Sequence, residues 1–127
     1  MRLSPAAIRY LLAIYQLSDG GNPVRSVDIA QRMGVSPASV VHMRGVLTNE
    51  GLIAKKHYGR VRFTGKGARV AGRIYTSYVL IENFFTQNLG ISDTAAREDA
   101  QACLSVLSEE SLLLLEKLAL EGSCAAV

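Results

Sequence analysis

A chain of 127 residues, of which 49% are hydrophobic and 6% aromatic, is long enough for one domain, or one domain with a small appendage, around a mostly aliphatic core. We expect no membrane span, since no stretch reaches roughly 18 uncharged apolar residues, and no signal peptide, because Arg9 interrupts the apolar N-terminal segment. The cysteines Cys103 and Cys124 lack metal-type spacing and indicate reduced thiols in a cytoplasmic protein.

The charge is divided unevenly along the chain. Residues 1–75 contain 12 Lys/Arg against 3 Asp/Glu, a net charge of +9, whereas residues 76–127 contain 2 against 8, a net charge of −6. Such a division indicates that the basic half meets a polyanion and that the other half has a different task. The simpler alternative is that solvated surface charge happens to be distributed unevenly.

The first predicted helix begins at Ser4-Pro5, which reads as an N-cap followed by proline at the first helical position. Four apolar residues then follow the spacing of a helix with one buried face: Ile8, Leu11, Leu12 and Tyr15. The sequence SDGGNP at residues 18–23 ends this helix.

Two further helices are predicted on either side of a tight turn. Ser26 caps the first of them, its inward residues are Ile29, Ala30 and Met33, and Gly34 ends it because glycine enters the left-handed conformation without penalty. Ser36-Pro37 repeats the cap-and-proline signal for the second. This second helix has a buried stripe and ends at Glu50-Gly51; the stripe is Val40, Met43 and Leu47.

A short helix, a turn containing glycine and a second helix form a helix-turn-helix. The positions of the second helix that lie off its buried stripe are small or polar, as a helix that enters the major groove of DNA requires: Ala38, Ser39, His42 and Gly45.

The segment LIAKKHYGRVRFT then predicts two short strands that turn at Tyr58-Gly59 and form a wing. It carries five ionisable side chains, which are poor core material but good phosphate ligands: Lys55, Lys56, His57, Arg60 and Arg62. Among these, we expect Lys56 and Arg60 to bind phosphate.

The remaining sequence predicts three helices. Thr64 caps a long helix over about residues 65–89, Ser92 caps the next as far as about Leu107, and Ser108 opens the last, before EGSCAAV leaves the helix. A helix that is apolar on all sides has to be covered. The run LLLL at residues 112–115 therefore predicts a dimer interface, together with Phe84 and Phe85.

The predicted fold class is mainly α, with a winged helix-turn-helix DNA-binding domain at residues 1–64 and an all-helical dimerisation domain at residues 65–127. We expect no enzymatic activity. His42 and His57 lie in the basic half without a carboxylate or cysteine at a catalytic spacing, and no glycine loop of the phosphate-binding kind occurs.

Five segments carry a family resemblance over about residues 5–121: YLLAIYQL, VRSVDIAQRMGVSPASVVHMRGVLTNEGLI, GRVRFTGKG, LIENFF and LGISD with EDAQACLSVLSEES. In this order they resemble the iron- and manganese-dependent transcriptional repressors, the diphtheria-toxin-repressor-like family, and in particular its short manganese-sensing branch. The resemblance implies a symmetric dimer that presents two recognition helices to a palindromic operator. It also implies a divalent metal that licenses DNA binding.

The same resemblance assigns six metal-ligand positions, which are Arg9, Leu12, Tyr78, Gln101, Leu104 and Ser105 in this chain. A divalent cation needs anionic or imidazole donors, and these side chains offer none. We therefore expect the metal switch to be lost and no cofactor to bind. Arg9 either replaces the metal by donating to several acceptors or points to solvent. Cys103 lies about 200° around its helix from Gln101 and is interpreted as an inert core thiol.

Seven residues are predicted to contact DNA: Ser36, Pro37, Ser39, His42, Arg44, Lys56 and Arg60. Ser36 caps its helix while the helix N-terminus faces a phosphate. His42 contacts a base or a phosphate, or is simply an exposed polar residue. Arg44 reaches a phosphate, or crosses the surface to Glu50 or Asp28.

The sequence leaves three interpretations of the function open. The leading interpretation is a homodimeric transcriptional regulator, a repressor, that binds an inverted-repeat operator in double-stranded DNA without metal. The second is a manganese- or iron-responsive repressor whose ligands are rebuilt from Glu82, Glu98 or Asp99. The third is a dimeric winged-helix adaptor that binds protein rather than DNA; the net charge of +9 over residues 1–75 favours nucleic acid over this alternative.

Overall fold

The computed structural model describes residues 3–54 and 59–125, with side chains as far as residue 122. Within these residues, helices and two short strands follow in the order α1 (Pro5–Ser18), β1 (Val24–Arg25), α2 (Ser26–Met33), α3 (Pro37–Asn49), β2 (Arg60–Val61), α4 (Gly65–Gln87), α5 (Asp93–Val106) and α6 (Glu109–Ala125). They belong to two compact units, Met1–Arg73 and Ile74–Val127, and the division falls inside α4. The predicted boundary at residue 64 stays a prediction.

Most helices begin at the predicted N-cap residues. Ser4 Oγ accepts a hydrogen bond from the N–H of Ala7 at 3.1 Å, and Ser36 Oγ accepts one from the N–H of Ser39 at 3.2 Å. These oxygens satisfy N–H groups that the first turn of a helix leaves unpaired. The same arrangement opens α4, α5 and α6, at Thr64, Ser92 and Ser108.

The prediction that Ser26 caps α2 is wrong, because Ser26 is the first residue of the helix and Arg25 is its N-cap. Arg25 has extended backbone angles, φ −73° and ψ 137°, and makes no side-chain cap hydrogen bond. The N–H of Ser26 donates to the carbonyl of Gly59 at 2.8 Å, so strand pairing holds the chain extended up to this point. The Ser26 hydroxyl accepts instead from Arg44.

The core of the first unit forms where α1, α2 and α3 meet the short strands. The predicted stripe of α3 is confirmed, since Val40, Met43 and Leu47 are all buried. The largest fully buried side chains of this unit are aliphatic, as the composition predicts: Leu11, Ile14, Ile29, Leu47, Leu52, Val40 and Val61. Gly34 ends α2 in the left-handed conformation at φ 65°, as expected.

The small sheet differs from the predicted wing. β2 pairs antiparallel with β1, in the register Val24↔Val61 and Arg25↔Arg60, and β1 was not predicted. Among the described residues, the first predicted wing strand contributes the bridge Ile53↔Phe63, and the N–H of Ala54 donates to the carbonyl of Arg62 at 2.9 Å. The predicted turn at Tyr58, with Lys55 to His57, lies outside the described residues.

The start of α4 is fixed against the end of the helix-turn-helix. Thr64 donates its N–H to the carbonyl of Leu52 at 3.1 Å and its hydroxyl to the carbonyl of Gly51 at 2.7 Å. Gly67 then approaches so closely that a Cβ atom there would lie 1.7 Å from the Leu52 carbonyl oxygen. Only glycine fits at this position.

The second unit contains the rest of α4 with α5 and α6. Its buried residues include Tyr78, Ile81, Ala96, Ala100, Leu104 and Ala119. The prediction that EGSCAAV leaves the helix is wrong, because α6 continues to Ala125. Gly122 does not end α6; a Cβ there would lie 2.8 Å from Nδ2 of Asn88, so glycine allows a close approach. No helix in the described part of the chain is long and apolar enough to cross a membrane.

Candidate nucleic-acid interface

Helix α3 separates its side chains into two faces. One face is buried in the first unit, and the other is exposed and carries small or polar residues together with two valines: Ala38, Ser39, Val41, His42, Gly45 and Val46. A helix that enters the major groove needs such a face, since bulky or acidic side chains would clash with the bases or repel the phosphates. The structure therefore places Ser39 and His42 on one accessible surface.

The N-terminus of α3 carries a pair of serine hydroxyls. Ser36 Oγ lies 3.0 Å from Ser39 Oγ and also accepts from the N–H of Ser39. The predicted capping role of Ser36 is thus confirmed, with Pro37 as the first helical residue. Contacts of Ser36, Pro37, Ser39 and His42 with DNA stay predictions.

Arg44 extends from α3 to the start of α2. Its Nη1 donates to the hydroxyl of Ser26 at 3.5 Å, and the residue is half-buried. The guanidinium group of Arg44 is thereby held beside Ser26, the residue that follows Arg25 in the chain. The second helix of the helix-turn-helix is connected through this contact to the edge of the small sheet.

A segment without acidic residues follows α3. Between Glu50 and Glu82 the sequence has seven Lys/Arg and no carboxylate. Five of these cations are exposed, and none of the five pairs with a carboxylate within the residues that the structure describes: Arg60, Arg62, Lys66, Arg69 and Arg73. Their uncompensated charge suits a polyanion. The sixth and seventh are Lys55 and the predicted phosphate ligand Lys56, which lie outside the described residues.

The cations of α4 are not among the residues predicted to contact DNA. Lys66, Arg69 and Arg73 are all exposed, and their i, i+3, i+7 spacing places them along one side of the helix. Lys66 Nζ donates to the carbonyl of Glu50 at 3.3 Å, which connects this row to the end of α3. The sequence signal that could have identified these cations is the lack of any Asp or Glu between Glu50 and Glu82.

Sequence reasoning also missed Arg25. Its guanidinium forms a bidentate pair with Asp28, with Nε–Oδ2 and Nη2–Oδ1 distances of 3.0 Å each. The hydrogen bond and the negative charge of Asp28 raise the already high pKa of Arg25. The pair spans the first turn of α2, so its geometry follows only once the helix is known to begin at Ser26.

The metal-ligand positions implied by the resemblance do not fit a divalent cation. In the first unit, Leu12 is 2% exposed and apolar, and Arg9 is exposed and cationic. In the second unit, Leu104 is 7% exposed, and the Ser105 hydroxyl donates to the carbonyl of Gln101 at 2.9 Å. Tyr78, the remaining position, is a buried phenol. Neutral oxygens and apolar carbon do not offset the dehydration of such an ion.

Acidic residues do not assemble a replacement site in the part of the chain that is described. No three His, Cys, Asp or Glu side chains lie close enough together there to hold a metal ion. Cys103 is half-buried rather than buried. Burial, and secondarily the charge of Asp99, raise the pKa of its thiol, so the sulfur is protonated near neutral pH and a poor ligand.

Taken together, the exposed polar face of α3, the basic segment after it and the helical second unit define a winged helix-turn-helix protein of the regulator class. The chain belongs to the diphtheria-toxin-repressor-like, MntR-like family of metal-dependent regulators, and its residues 1–68 match the family model described as "Domain of unknown function (DUF8462)". The predicted family and fold class are thereby confirmed.

Relatives and solved structures similar to this chain include regulators. The transcriptional regulator MntR of Escherichia coli O6:H1 is 36% identical over 88 residues, which are 69% of this chain and 56% of that protein. The manganese regulator SloR shares 28% identity at a TM-score of 0.73, covering 93% of this chain and 54% of that one. The hypothetical protein SSo2273 of Sulfolobus solfataricus shares 28% identity at a TM-score of 0.62, over 91% and 88%. The chain thus spans about half the length of MntR and SloR.

Proposed function

We propose that this protein is a transcriptional regulator, a repressor, that binds an inverted-repeat operator in duplex DNA as a cytoplasmic homodimer and does so without metal. The observation that carries the proposal is the exposed face of α3, which presents small and polar side chains with two valines, together with the seven Lys/Arg of the carboxylate-free segment between Glu50 and Glu82. A helix of this kind fits the major groove, and the cations that follow it fit the phosphate backbone.

The residues divide into two tasks. Ser39 and His42 read base edges, because they are exposed on the face of α3 that no core residue occupies. Ser36, Lys56 and Arg60 position the protein on phosphates, since contacts to the backbone fix register but carry no sequence information.

The homodimer is supported by helix α6. Four of its leucines are exposed in the single chain, with Leu113 at 66% and Leu114 at 62%, and with Leu118 and Leu120 also above half. Exposed apolar clusters of this kind mark interaction surfaces. A second copy related by a two-fold axis would cover these leucines. The resulting dimer presents two α3 helices, which match the two halves of an inverted repeat.

Metal independence is supported by the side chains at the implied ligand positions. Leu12 in the first unit and Leu104 in the second are apolar and buried, and Arg9 carries a permanent positive charge. A guanidinium has five N–H donors in a rigid plane and stays protonated. We propose that Arg9 holds the DNA-competent geometry that a metal ion maintains in metal-dependent regulators.

The experiment that tests the proposal is a selection from random duplexes followed by a salt titration. We expect enrichment of a palindrome, and a plot of log affinity against log salt whose slope is about −0.9 for each neutralised phosphate. Arg60→Ala should weaken all sequences alike and reduce the slope, whereas Ser39→Ala or His42→Ala should change the preference among operators by about 1–3 kcal/mol for each disturbed base contact.

Arg97→Ala is the matched control, because Arg97 is an exposed arginine of α5 in the acidic unit. It should leave both slope and preference unchanged. Selection that enriches no sequence, with binding that does not depend on salt, would contradict the proposal and favour the protein-binding adaptor.

A further inference from the structure

Two arginines lie directly opposite each other on neighbouring strands. Arg25 of β1 pairs with Arg60 of β2, and both are exposed. The flanking hydrogen bond from the N–H of Ser26 to the carbonyl of Gly59, at 2.8 Å, identifies this as a non-hydrogen-bonded pair. In such pairs the Cα atoms are about 4.5 Å apart and the side chains lie closer than in the alternate pairs.

From the strand register, we expect this arrangement to be unfavourable for the isolated protein. Like charges directly opposite each other on adjacent strands are destabilising. Asp28 compensates Arg25 through its bidentate contact, but Arg60 has no carboxylate partner among the described residues. An unfavourable like-charge pair that no described residue fully compensates indicates a functional site, and the partner that would compensate it is an anion.

We infer that Arg25 and Arg60 form a clamp in which two guanidinium groups bind one phosphate of the DNA backbone; this inference rests on the proposed function. Asp28 occupies Nε and Nη2 of Arg25 on one edge, which leaves Nη1 and the outer N–H of Nη2 for the phosphate. Asp28 is thus a positioning residue that fixes the direction of the Arg25 fork.

The clamp is physically connected to the helix that reads the bases. Arg44 of α3 donates to the hydroxyl of Ser26, the residue next to Arg25. A phosphate held by the clamp therefore sets the position of the backbone relative to α3. Phosphate contacts of this kind determine the register in which side chains such as Ser39 and His42 meet the base edges.

The test measures how operator affinity depends on salt for Arg25→Ala, Arg60→Ala and the double variant, using the palindromic duplex enriched by selection. Because one phosphate is shared, each single variant should reduce the magnitude of the slope by at most about 0.9, and the double variant by about 0.9 in total. Asp28→Asn should weaken operator binding while Arg25 remains present. Arg97→Ala is the control and should leave the slope unchanged.

A second readout needs no DNA. Arg60→Ala should raise the urea midpoint of unfolding, because it removes the repulsion between opposed guanidinium groups. An Arg25→Ala protein with unchanged operator affinity, additive slope losses of about 1.8 in the double variant, or a lowered urea midpoint for Arg60→Ala would each overturn the clamp while leaving the proposed function intact. A wild-type protein that binds no duplex would overturn both.

Discussion

The two compact units, Met1–Arg73 and Ile74–Val127, leave very different surfaces exposed. The first unit is basic and exposes the polar face of α3 with uncompensated arginines. The second is acidic and exposes leucines along α6, with Val106 of α5 at 72%. Uncompensated charge indicates a charged partner, whereas uncovered apolar side chains indicate a partner that excludes water. The contrast supports the proposal that DNA binds the first surface and that a second copy covers the other.

The largest effect expected within the first unit is at Gly67. Gly67→Ala should lower the free energy of unfolding by about 3 kcal/mol, the upper end for overpacking, because the new Cβ meets the backbone carbonyl of Leu52 rather than a side chain that can move. Urea denaturation measures this change. Gly45→Ala is the matched control: nothing lies within 4 Å of a Cβ there, so alanine should stabilise α3 by about 0.5–1 kcal/mol. Equal effects at the two glycines would contradict the close approach at the start of α4.

Charged substitutions on α6 test whether its exposed leucines form the interface between two copies. Leu113→Glu with Leu114→Glu should convert the proposed dimer into a monomer, because two carboxylates would then lie in an apolar interface without partners. Sedimentation at tens of micromolar measures the assembly, and Lys117→Ala on the same helix is a control that should remain dimeric. If the double variant sediments as the wild-type protein does, the exposed leucines are not the interface.

A smaller effect is expected at the cap of α3. Ser36→Ala should cost about 1 kcal/mol of stability, because Ser36 Oγ accepts the N–H of Ser39 and alanine leaves this group unpaired. Ser39→Ala should cost less, since the Ser39 hydroxyl meets only the exposed Ser36 hydroxyl. Thermal or urea unfolding distinguishes the two variants. Equal losses would show that the hydroxyl pair, rather than the cap, stabilises this end.

The smallest effect concerns Cys103 in the acidic unit. Burial, and then Asp99, raise the pKa of its thiol in the folded state. Folding therefore favours the protonated thiol, and this stabilisation is complete below the pKa of the unfolded thiol and is lost as the pH rises through the folded value. In a Cys124→Ser background, alkylation at pH 8 should be slower than for the urea-unfolded chain, and Asp99→Asn should accelerate it. Alkylation as fast as in the unfolded chain would contradict the raised pKa.

Local signals predicted much of this molecule. Ser4, Ser36 and Ser92 begin helices because cap chemistry is determined within a few residues of sequence. The buried and exposed faces of α3 follow from periodicity alone.

Features that depend on distant partners were missed. β1 consists of Val24–Arg25 and pairs with β2, which follows the helix-turn-helix in the sequence. A strand of two residues is too short to show an alternating apolar and polar pattern. The clamp of Arg25 and Arg60 depends on that same pairing. The continuation of α6 past Gly122, where Asn88 packs closely, was likewise not visible as a local signal.

The protein is proposed to bind its operator without metal. The direct measurement is the affinity for the selected palindromic duplex in EDTA and then with added manganese, iron or zinc, at fixed ionic strength. We expect full binding in EDTA and less than a twofold change with each metal, because Leu12, Leu104 and Arg9 stand where ligands are implied. Arg9→Ala should weaken binding in EDTA. Tenfold tightening by a metal, about 1.4 kcal/mol of coupling, would contradict the claim.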